Sequence, residues 1–213
     1  MDDQPKSTIR RGRKFAQVIE GARKVFLRDG FEGASVDDIA AEAGVSKATL
    51  YAYVPDKRQL FLEVAREECR RQADEVEDLV SMSAPPEQML PVAGRRIVDF
   101  ILSDFGRQIY RVCLAEAYRF PELGRQFYET GPGLLRERLS SYLNGAVARG
   151  QLKIDDIHLA ADQFAELCKA DIFPSVCFGV KTEFSDAERD RIVRGAVETF
   201  LARYGVKRDI PDQ

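Results

Sequence analysis

The stretch of residues 35–54 places the strongest constraint on the fold of this chain. Its first residue, Ser35, suits the N-cap of a short helix, and the acidic residues that follow suit the positive end of that helix. Gly44 stands where a chain leaving a helix needs a positive φ. Ser46 then caps a second helix, from Lys47 to about Tyr53. Two short helices around a glycine turn form a helix-turn-helix pattern, which also occurs as an ordinary helical hairpin in a bundle.

Four pieces of sequence extend this pattern on both sides. They are Ile19-x-x-Ala22-x-x-x-Phe26, Gly30-Phe31-x-Gly33-Ala34-Ser35-Val36, Ile39-Ala40-x-x-Ala43-Gly44-Val45-Ser46-Lys47-x-Thr49-Leu50-Tyr51-x-Tyr53-Val54, and Lys57-x-x-Leu60-Phe61. In this order and spacing they resemble the N-terminal domain of TetR-type bacterial transcriptional regulators, from about Gly12 to Arg71. Small departures occur at Ala48, where the family often has glycine, and at Val54 and Pro55. The change at Ala48 bears on which base edge is approached and leaves the fold intact.

The composition is that of a globular, all-α protein. Of 213 residues, 45% are hydrophobic and 31% are charged, and β-branched alternation is scarce. No apolar run approaches the ~18 residues that a membrane span needs. The N-terminus is acidic and lacks the apolar core of a signal peptide. We therefore expect a cytosolic chain with no membrane partner, and the family resemblance implies the bacterial cytosol, with nucleoid association when the chain is bound to DNA.

Groups that would support catalysis or metal binding are scarce. Four cysteines lie far apart, and together with the single His158 they give no zinc-ligand spacing. We interpret the cysteines as small apolar core residues and His158 as a solvated or capping side chain at a helix start. No phosphate-binding glycine loop is present. The sequence therefore predicts no catalytic residue, no metal and no cofactor, and hence no enzyme.

Positive charge is concentrated in the N-terminal quarter of the chain. The formal net charge is −3, yet residues 1–58 contain eleven Lys or Arg and nine Asp or Glu, a local balance of +2. The basic run 10–14 directly precedes the helix-turn-helix unit. Such a run is either a solvated tail or a contact to phosphates and the minor groove. DNA affinity depends on local basic surface, so the negative total does not exclude DNA binding.

The second helix of the motif has the groups that a reading helix needs. Its first residues would meet base edges in the major groove. Lys47 could donate to guanine or to a phosphate, and Ala48 could touch a thymine methyl group. Tyr51 and Tyr53 supply hydroxyls for phosphates, as the resemblance implies, although half-buried packing is the alternative. The predicted DNA-binding residues are Arg11, Arg13, Ser35, Ser46, Lys47, Ala48, Thr49, Tyr51, Tyr53 and Lys57.

The remainder of the chain consists of helical segments with apolar stripes. We expect about nine to ten helices in all, arranged as a flexible basic arm (1–11), a DNA-binding domain (12–72) and a ligand-binding and dimerisation bundle (73–213). A long helix from Asp56 to about Val80 would connect the last two. Residues 109–128 resemble the C-terminal region of an AcrR-like subset of the family.

The last two predicted helices carry the widest apolar stripes. One extends from Asp156 to about Phe178, with Pro174 kinking or breaking it, and the other begins at the capping box of Ser185 and Glu188. Wide stripes are either central core or an interface with a second copy, and the family resemblance implies a four-helix dimer interface. The predicted interface residues are Phe164, Cys168, Ile172, Val193, Ala196, Val197, Phe200, Leu201 and Tyr204.

These features predict a homodimeric, ligand-responsive transcriptional regulator, most simply a repressor, that binds a pseudo-palindromic operator in double-stranded DNA. A small apolar or aromatic effector, of unknown identity, would release it. The candidate pocket residues are aromatic or sulfur-containing, although each is also an ordinary core residue: Phe100, Phe105, Tyr110, Cys113, Tyr118, Phe127 and Phe164. Two alternatives stay open, a DNA-binding protein without a ligand and an all-α enzyme.

Overall fold

A computed structural model describes residues 12–79, 81–118 and 120–206. Within these residues the chain is helical, with no strand and one isolated backbone bridge between Leu152 and Gly205. The helices are α1 (Arg13–Gly33), α2 (Val36–Glu42), α3 (Lys47–Tyr53), α4 (Lys57–Leu79), α5 (Pro86–Leu102), α6 (Asp104–Ala117), α7 (Pro121–Thr130), α8 (Pro132–Ala148), α9 (Ile157–Lys169), α10 (Phe173–Cys177) and α11 (Asp186–Tyr204). The shortest of the helices described is α10, with five residues. The predicted all-α class is therefore confirmed.

The chain forms two compact units. Among the described residues, the first unit, called the head below, takes in 12–67 together with 112–127, and the second, called the body, takes in 68–111 and 128–206. The sequence did not predict that residues 112–127 belong with the head. One contact that accounts for their place there is the guanidinium of Arg58, which lies 3.8 Å from the ring centroid of Phe120.

Close packing of α1 on α2 and an aromatic cluster hold the head together. A β-carbon at Gly21 of α1 would lie 2.7 Å from the backbone nitrogen of Ala43, so only glycine fits there. The rings of Phe26 and Phe31 each lie 5.1 Å from the ring of Phe61 on α4. Phe31 reaches this cluster because Gly30 has a φ of 72°, which bends the end of α1.

The core of the body lies between α5, α8, α9 and α11. Gly94 of α5 lets the helices approach closely, because a β-carbon there would meet Val193, Cys168 and Phe164 at 3.2 to 3.4 Å. The carboxylates of α11 and α5 are joined through Arg95, which donates to Asp99 and to two aspartates of α11. The body is therefore closed by both apolar packing and surface ion pairs.

The apolar segment predicted to extend from Asp156 to about Phe178 is two helices in the structure. The first, α9, ends at Lys169, and the chain turns at Asp171, whose φ is 71°. The break thus precedes Pro174, which lies in the first turn of α10. Proline is tolerated there because the first N–H groups of a helix have no partner within it.

Candidate DNA-binding surface

The helix-turn-helix forms as the sequence predicts. The hydroxyl of Ser35 accepts from the backbone nitrogen of Asp38 at 3.0 Å and caps α2. The hydroxyl of Ser46 accepts from the backbone nitrogen of Thr49 at 3.1 Å and caps α3. Between the two helices Gly44 has a φ of 64°. The capping bonds satisfy N–H groups at the start of each helix and fix where α3 begins.

The helix α3 has one buried face and one exposed face. Leu50 is 1% exposed and anchors the helix to the head, as does Val54 just beyond it. Lys47, Ala48 and Tyr51 lie on the exposed face, and Tyr51 is 45% exposed. An exposed short helix with a polar first turn has the shape and the chemistry that fit a major groove.

Lys47 is paired with an acid of the same chain. Its ammonium lies 2.9 Å from one carboxylate oxygen of Asp37 and 3.1 Å from the other. The hydrogen bond and the charge of Asp37 raise the pKa of Lys47. Both side chains are exposed, so the pair lies on the surface that would approach DNA.

Lys57 has structural partners that the sequence did not predict. Its ammonium donates to the backbone carbonyls of Ala34 at 3.1 Å and Glu32 at 3.3 Å. It also lies 4.7 Å from the centre of the Phe31 ring. These contacts satisfy carbonyls at the end of α1, and they compete with the predicted phosphate contact of Lys57.

The other predicted DNA-binding residues differ in exposure and in their contacts within the chain. Arg13 is exposed, and within the described part of the chain neither it nor Lys14 has a hydrogen bond or an ion pair. Tyr53 is half-buried, with its ring 5.7 Å from that of Phe15, which matches the packing alternative. The hydroxyls of Ser46 and Thr49 lie 2.8 Å apart. Arg11 lies outside the described residues.

The candidate pocket residues do not share one environment. Phe164 is fully buried against Phe200 in the body, with ring centroids 5.3 Å apart. Phe100 is half-buried, Tyr110 packs on Phe173, and Tyr118 is 97% exposed. Phe105, Cys113 and Phe127 are buried. Since Cys113, Tyr118 and Phe127 belong to the head and the other four to the body, their common pocket stays a prediction.

The residues predicted to contact a partner subunit pack into the core of the body. Eight of the nine are at most 9% exposed and Leu201 is half-buried against the same core. The inward faces of α9 and α11 therefore form part of the core of one chain, and their contact with a partner subunit stays a prediction. The predicted interface residues Phe164, Cys168, Ile172, Val193, Ala196, Val197, Phe200, Leu201 and Tyr204 accordingly have little surface to offer a second copy.

The outward faces of the same helices are exposed, and the sequence analysis did not single them out. On α11 the exposed positions Gly195, Thr199 and Ala202 share one face at helical spacing. On α9 Leu159 is 51% exposed. Their signal in the sequence was weak, because small and polar residues between wide apolar stripes look like an ordinary solvated face.

The structure describes no site for other chemistry. Within residues 12–79, 81–118 and 120–206 no group of three or more His, Cys, Asp or Glu side chains could hold a metal ion. His158 is exposed, and its Nδ1 lies 3.2 Å from the hydroxyl of the buried Ser140. No helix in that part of the chain has the length and hydrophobicity to span a bilayer.

Comparison with protein families places both parts of the chain. Residues 18–64 match the model for bacterial regulatory proteins of the tetR family. Residues 88–206 match the model for the C-terminal domain of AefR-like transcriptional repressors. The second match assigns an AefR-like C-terminal domain to the region that the sequence analysis compared with an AcrR-like subset.

Individual relatives agree with this placement. The transcriptional repressor AcnR of Corynebacterium diphtheriae is 28% identical over 149 residues, which are 62% of this chain and 78% of the relative. A solved TetR-family regulator from Mesorhizobium loti matches with a TM-score of 0.81 and 29% identity, over 95% of this chain and 100% of that one. The flavonoid-responsive regulator FrrA matches with a TM-score of 0.68 and 30% identity, over 93% and 100%. The chain belongs to the TetR family of bacterial regulators and is a DNA-binding transcriptional regulator, not an enzyme.

Proposed function

We propose that this chain is a ligand-responsive repressor that binds a pseudo-palindromic operator as a homodimer in the bacterial cytosol. The observation that carries the proposal is the exposed, capped α3, which presents Lys47, Ala48 and Tyr51 while Leu50 holds it to the head. Two such helices, one from each subunit, would enter successive major grooves about one helical turn apart. The similarity to the repressor AcnR and the match to the AefR-like repressor family support repression over activation.

Additional DNA affinity would come from the start of α1. Arg13 and Lys14 are exposed and have no partner within the described residues. Each phosphate that such a cation neutralises releases condensed counterions and makes binding salt-dependent. Arg13 and Lys14 are therefore assigned to phosphates, while α3 is assigned to the base edges.

The dimer would form through the outward faces of α9 and α11. Gly195, Thr199 and Ala202 make an exposed face of small side chains on α11, and small residues let two helices approach closely. The inward faces already form the core of the body. Each subunit would therefore contribute the outward faces of two helices whose inward faces are already packed.

An apolar or aromatic effector is proposed to act on the body. The name of FrrA states that it responds to flavonoids, and it is 30% identical to this chain over 93% of its length. Aromatic side chains such as Phe100 and Tyr110 could stack on such a molecule. The effector can release DNA only if its affinity differs between the DNA-bound and the free conformations. The long α4 is assigned to transmit that difference.

Fluorescence anisotropy with duplexes from the DNA that flanks the coding region tests the proposal. Wild-type protein should bind one duplex with a log–log salt slope of several units, because each phosphate contact contributes about −0.9. Substitution Tyr51→Ala should weaken this binding without changing the dimer, and Tyr128→Ala, an exposed tyrosine of α7 in the body, is the matched control. A panel of flavonoids and other aromatic compounds should include one that raises Tm and lowers DNA affinity. A slope near zero would contradict the DNA-binding assignment.

A further inference from the structure

Most cations of the described head are paired with groups of the same chain. The ion pairs join Arg23 to Glu20, Lys24 to Glu42, Arg28 to Asp29, Lys47 to Asp37, Arg58 to Asp56 and Arg66 to Glu63. A head built for general affinity to DNA would leave such cations available to phosphates. The pair at Lys47 differs from the others because it lies at the first residue of the reading helix α3.

The helix dipoles act in opposite ways on the two charges of this pair. Asp37 is in the first turn of α2, where the helix dipole stabilises a carboxylate. Lys47 is in the first turn of α3, where the dipole opposes a cation. Lys47 therefore does not serve to stabilise α3, and the carboxylate of Asp37 offsets its unfavourable position.

The ammonium of Lys47 lies beside the carboxylate of Asp37. Lys47 Nζ lies 2.9 and 3.1 Å from the two oxygens of Asp37, although the side chains are 52% and 72% exposed. The ammonium has three N–H donors and gives one hydrogen bond to Asp37 Oδ2, so donors remain for another acceptor. Tyr51 lies one turn further along the same face of α3.

A lysine held in this way reads bases better than it binds phosphates. Its charge is cancelled locally by Asp37, so a phosphate gains little attraction from Lys47 and meets a carboxylate beside it. A guanine edge offers O6 and N7 as neutral acceptors. Either atom can accept a hydrogen bond from a free N–H of Lys47 without the charge repulsion that a phosphate meets at Asp37. The pair therefore lowers affinity for any duplex more than affinity for the correct one.

We propose that Asp37 is a specificity-determining residue, which holds the Lys47 ammonium in front of the base edges and reduces its attraction to the phosphate backbone. The inference rests on the proposed function, since it requires α3 to enter the major groove. It adds a role for a residue of α2 that need not touch DNA. Discrimination between sequences is then set by an ion pair within the protein as well as by contacts with bases.

The test compares binding to two duplex probes over a range of salt concentrations. One probe is a 30-bp duplex pool of random sequence, and the other is the duplex that wild-type protein enriches from that pool. Asp37→Asn should bind the random pool about eightfold more tightly at 0.1 M salt, with a slope steeper by about 0.9, because one more cation reaches phosphate. Affinity for the enriched duplex should rise less, so the ratio of the two affinities should fall at least threefold.

Two further variants separate this role from a general charge effect. Glu42→Gln removes the same charge from the opposite end of α2 and frees Lys24, whose ammonium lies 3.1 Å from Glu42. It should change both affinities by less than twofold. The double variant Asp37→Asn with Lys47→Met should return random-pool binding to the wild-type level while preference among sequences stays low.

The possible outcomes are distinct. If Asp37→Asn and Glu42→Gln change binding equally, or if Asp37→Asn leaves the slope and the affinity ratio unchanged while wild-type protein binds DNA, this inference is overturned and the proposed function stands. If wild-type protein binds neither probe at any salt concentration, the proposed function fails and the inference fails with it. Circular dichroism of each variant checks that the head is folded in every comparison.

Discussion

Gly21 of α1 lies directly against Ala43 at the end of α2, where a β-carbon at Gly21 would come within 2.7 Å of the Ala43 nitrogen. The atoms in the way belong to backbone as well as side chain, so a rotamer change cannot relieve the clash. We expect Gly21→Ala to lower the free energy of unfolding by about 1–2 kcal/mol, since overpacking exceeds the gain in helix propensity. Urea denaturation followed by circular dichroism measures it.

A matched substitution in the same helix controls for helix propensity. A β-carbon at Gly33 would meet only the Cβ of Asp29, at an ordinary 3.6 Å. Gly33→Ala should therefore leave stability within about 0.5 kcal/mol of wild type. Equal stability of the two variants would show that α1 and α2 are not packed as closely as described.

Lys57 should behave as a structural residue more than as a phosphate contact. Its ammonium bonds the carbonyls of Ala34 and Glu32, and Lys57→Met should destabilise the head by about 1 kcal/mol after allowance for partial exposure. The salt slope of DNA binding should change by less than about 0.3. Denaturation and anisotropy titrations on the same preparation give both values.

Arg13 should behave as a phosphate contact and not as a structural residue, in contrast to Lys57. It is exposed and has no partner within the described residues, so Arg13→Ala should leave stability unchanged and reduce the salt slope by about 0.9. A loss of slope in Lys57→Met that equals the loss in Arg13→Ala would restore the phosphate contact predicted for Lys57.

Local signals in the sequence were sufficient for the helix-turn-helix. Ser35, Gly44 and Ser46 each act through their nearest neighbours, by a capping bond or a positive φ, so a short window contains the whole cause. The same holds for the capping box at Ser185. These features were predicted correctly because they do not depend on what lies across the core.

Pairings between distant residues could not be predicted in the same way. The wide stripes of α9 and α11 showed that both segments are helical but did not show whether Phe164 and Phe200 contact each other or a second subunit. The partners of Lys47 and Lys57 are ten and more than twenty residues away. A single sequence indicates that such a residue is buried or charged, and only the fold decides which group it meets.

The outward face of α11 should hold the dimer together. Ala202 is exposed there beside Thr199 and Gly195, and an arginine at residue 202 would prevent close approach of a second helix. Ala202→Arg should therefore convert the dimer to a monomer in light scattering after size exclusion. Ala148→Arg, at an exposed alanine of α8, is the matched control and should stay dimeric. A dimer that persists in Ala202→Arg would place the interface elsewhere.

The capping box of α11 should make stability depend on pH. A hydrogen bond from Lys181, followed by bonds from the backbone and hydroxyl of Ser185, lowers the pKa of Glu188 to about 2 from an ordinary 4.5. Because the folded carboxyl binds protons less readily than the unfolded one, its contribution is present above about pH 4.5 and is lost as the pH falls towards 2. The difference in Tm between wild type and Glu188→Gln should thus be largest near pH 7 and shrink in acid. The control Glu137→Gln, at an exposed glutamate of α8, should show no such trend in Tm. If the Tm difference between wild type and Glu188→Gln stays constant with pH, the charge of Glu188 does not have the role assigned to it.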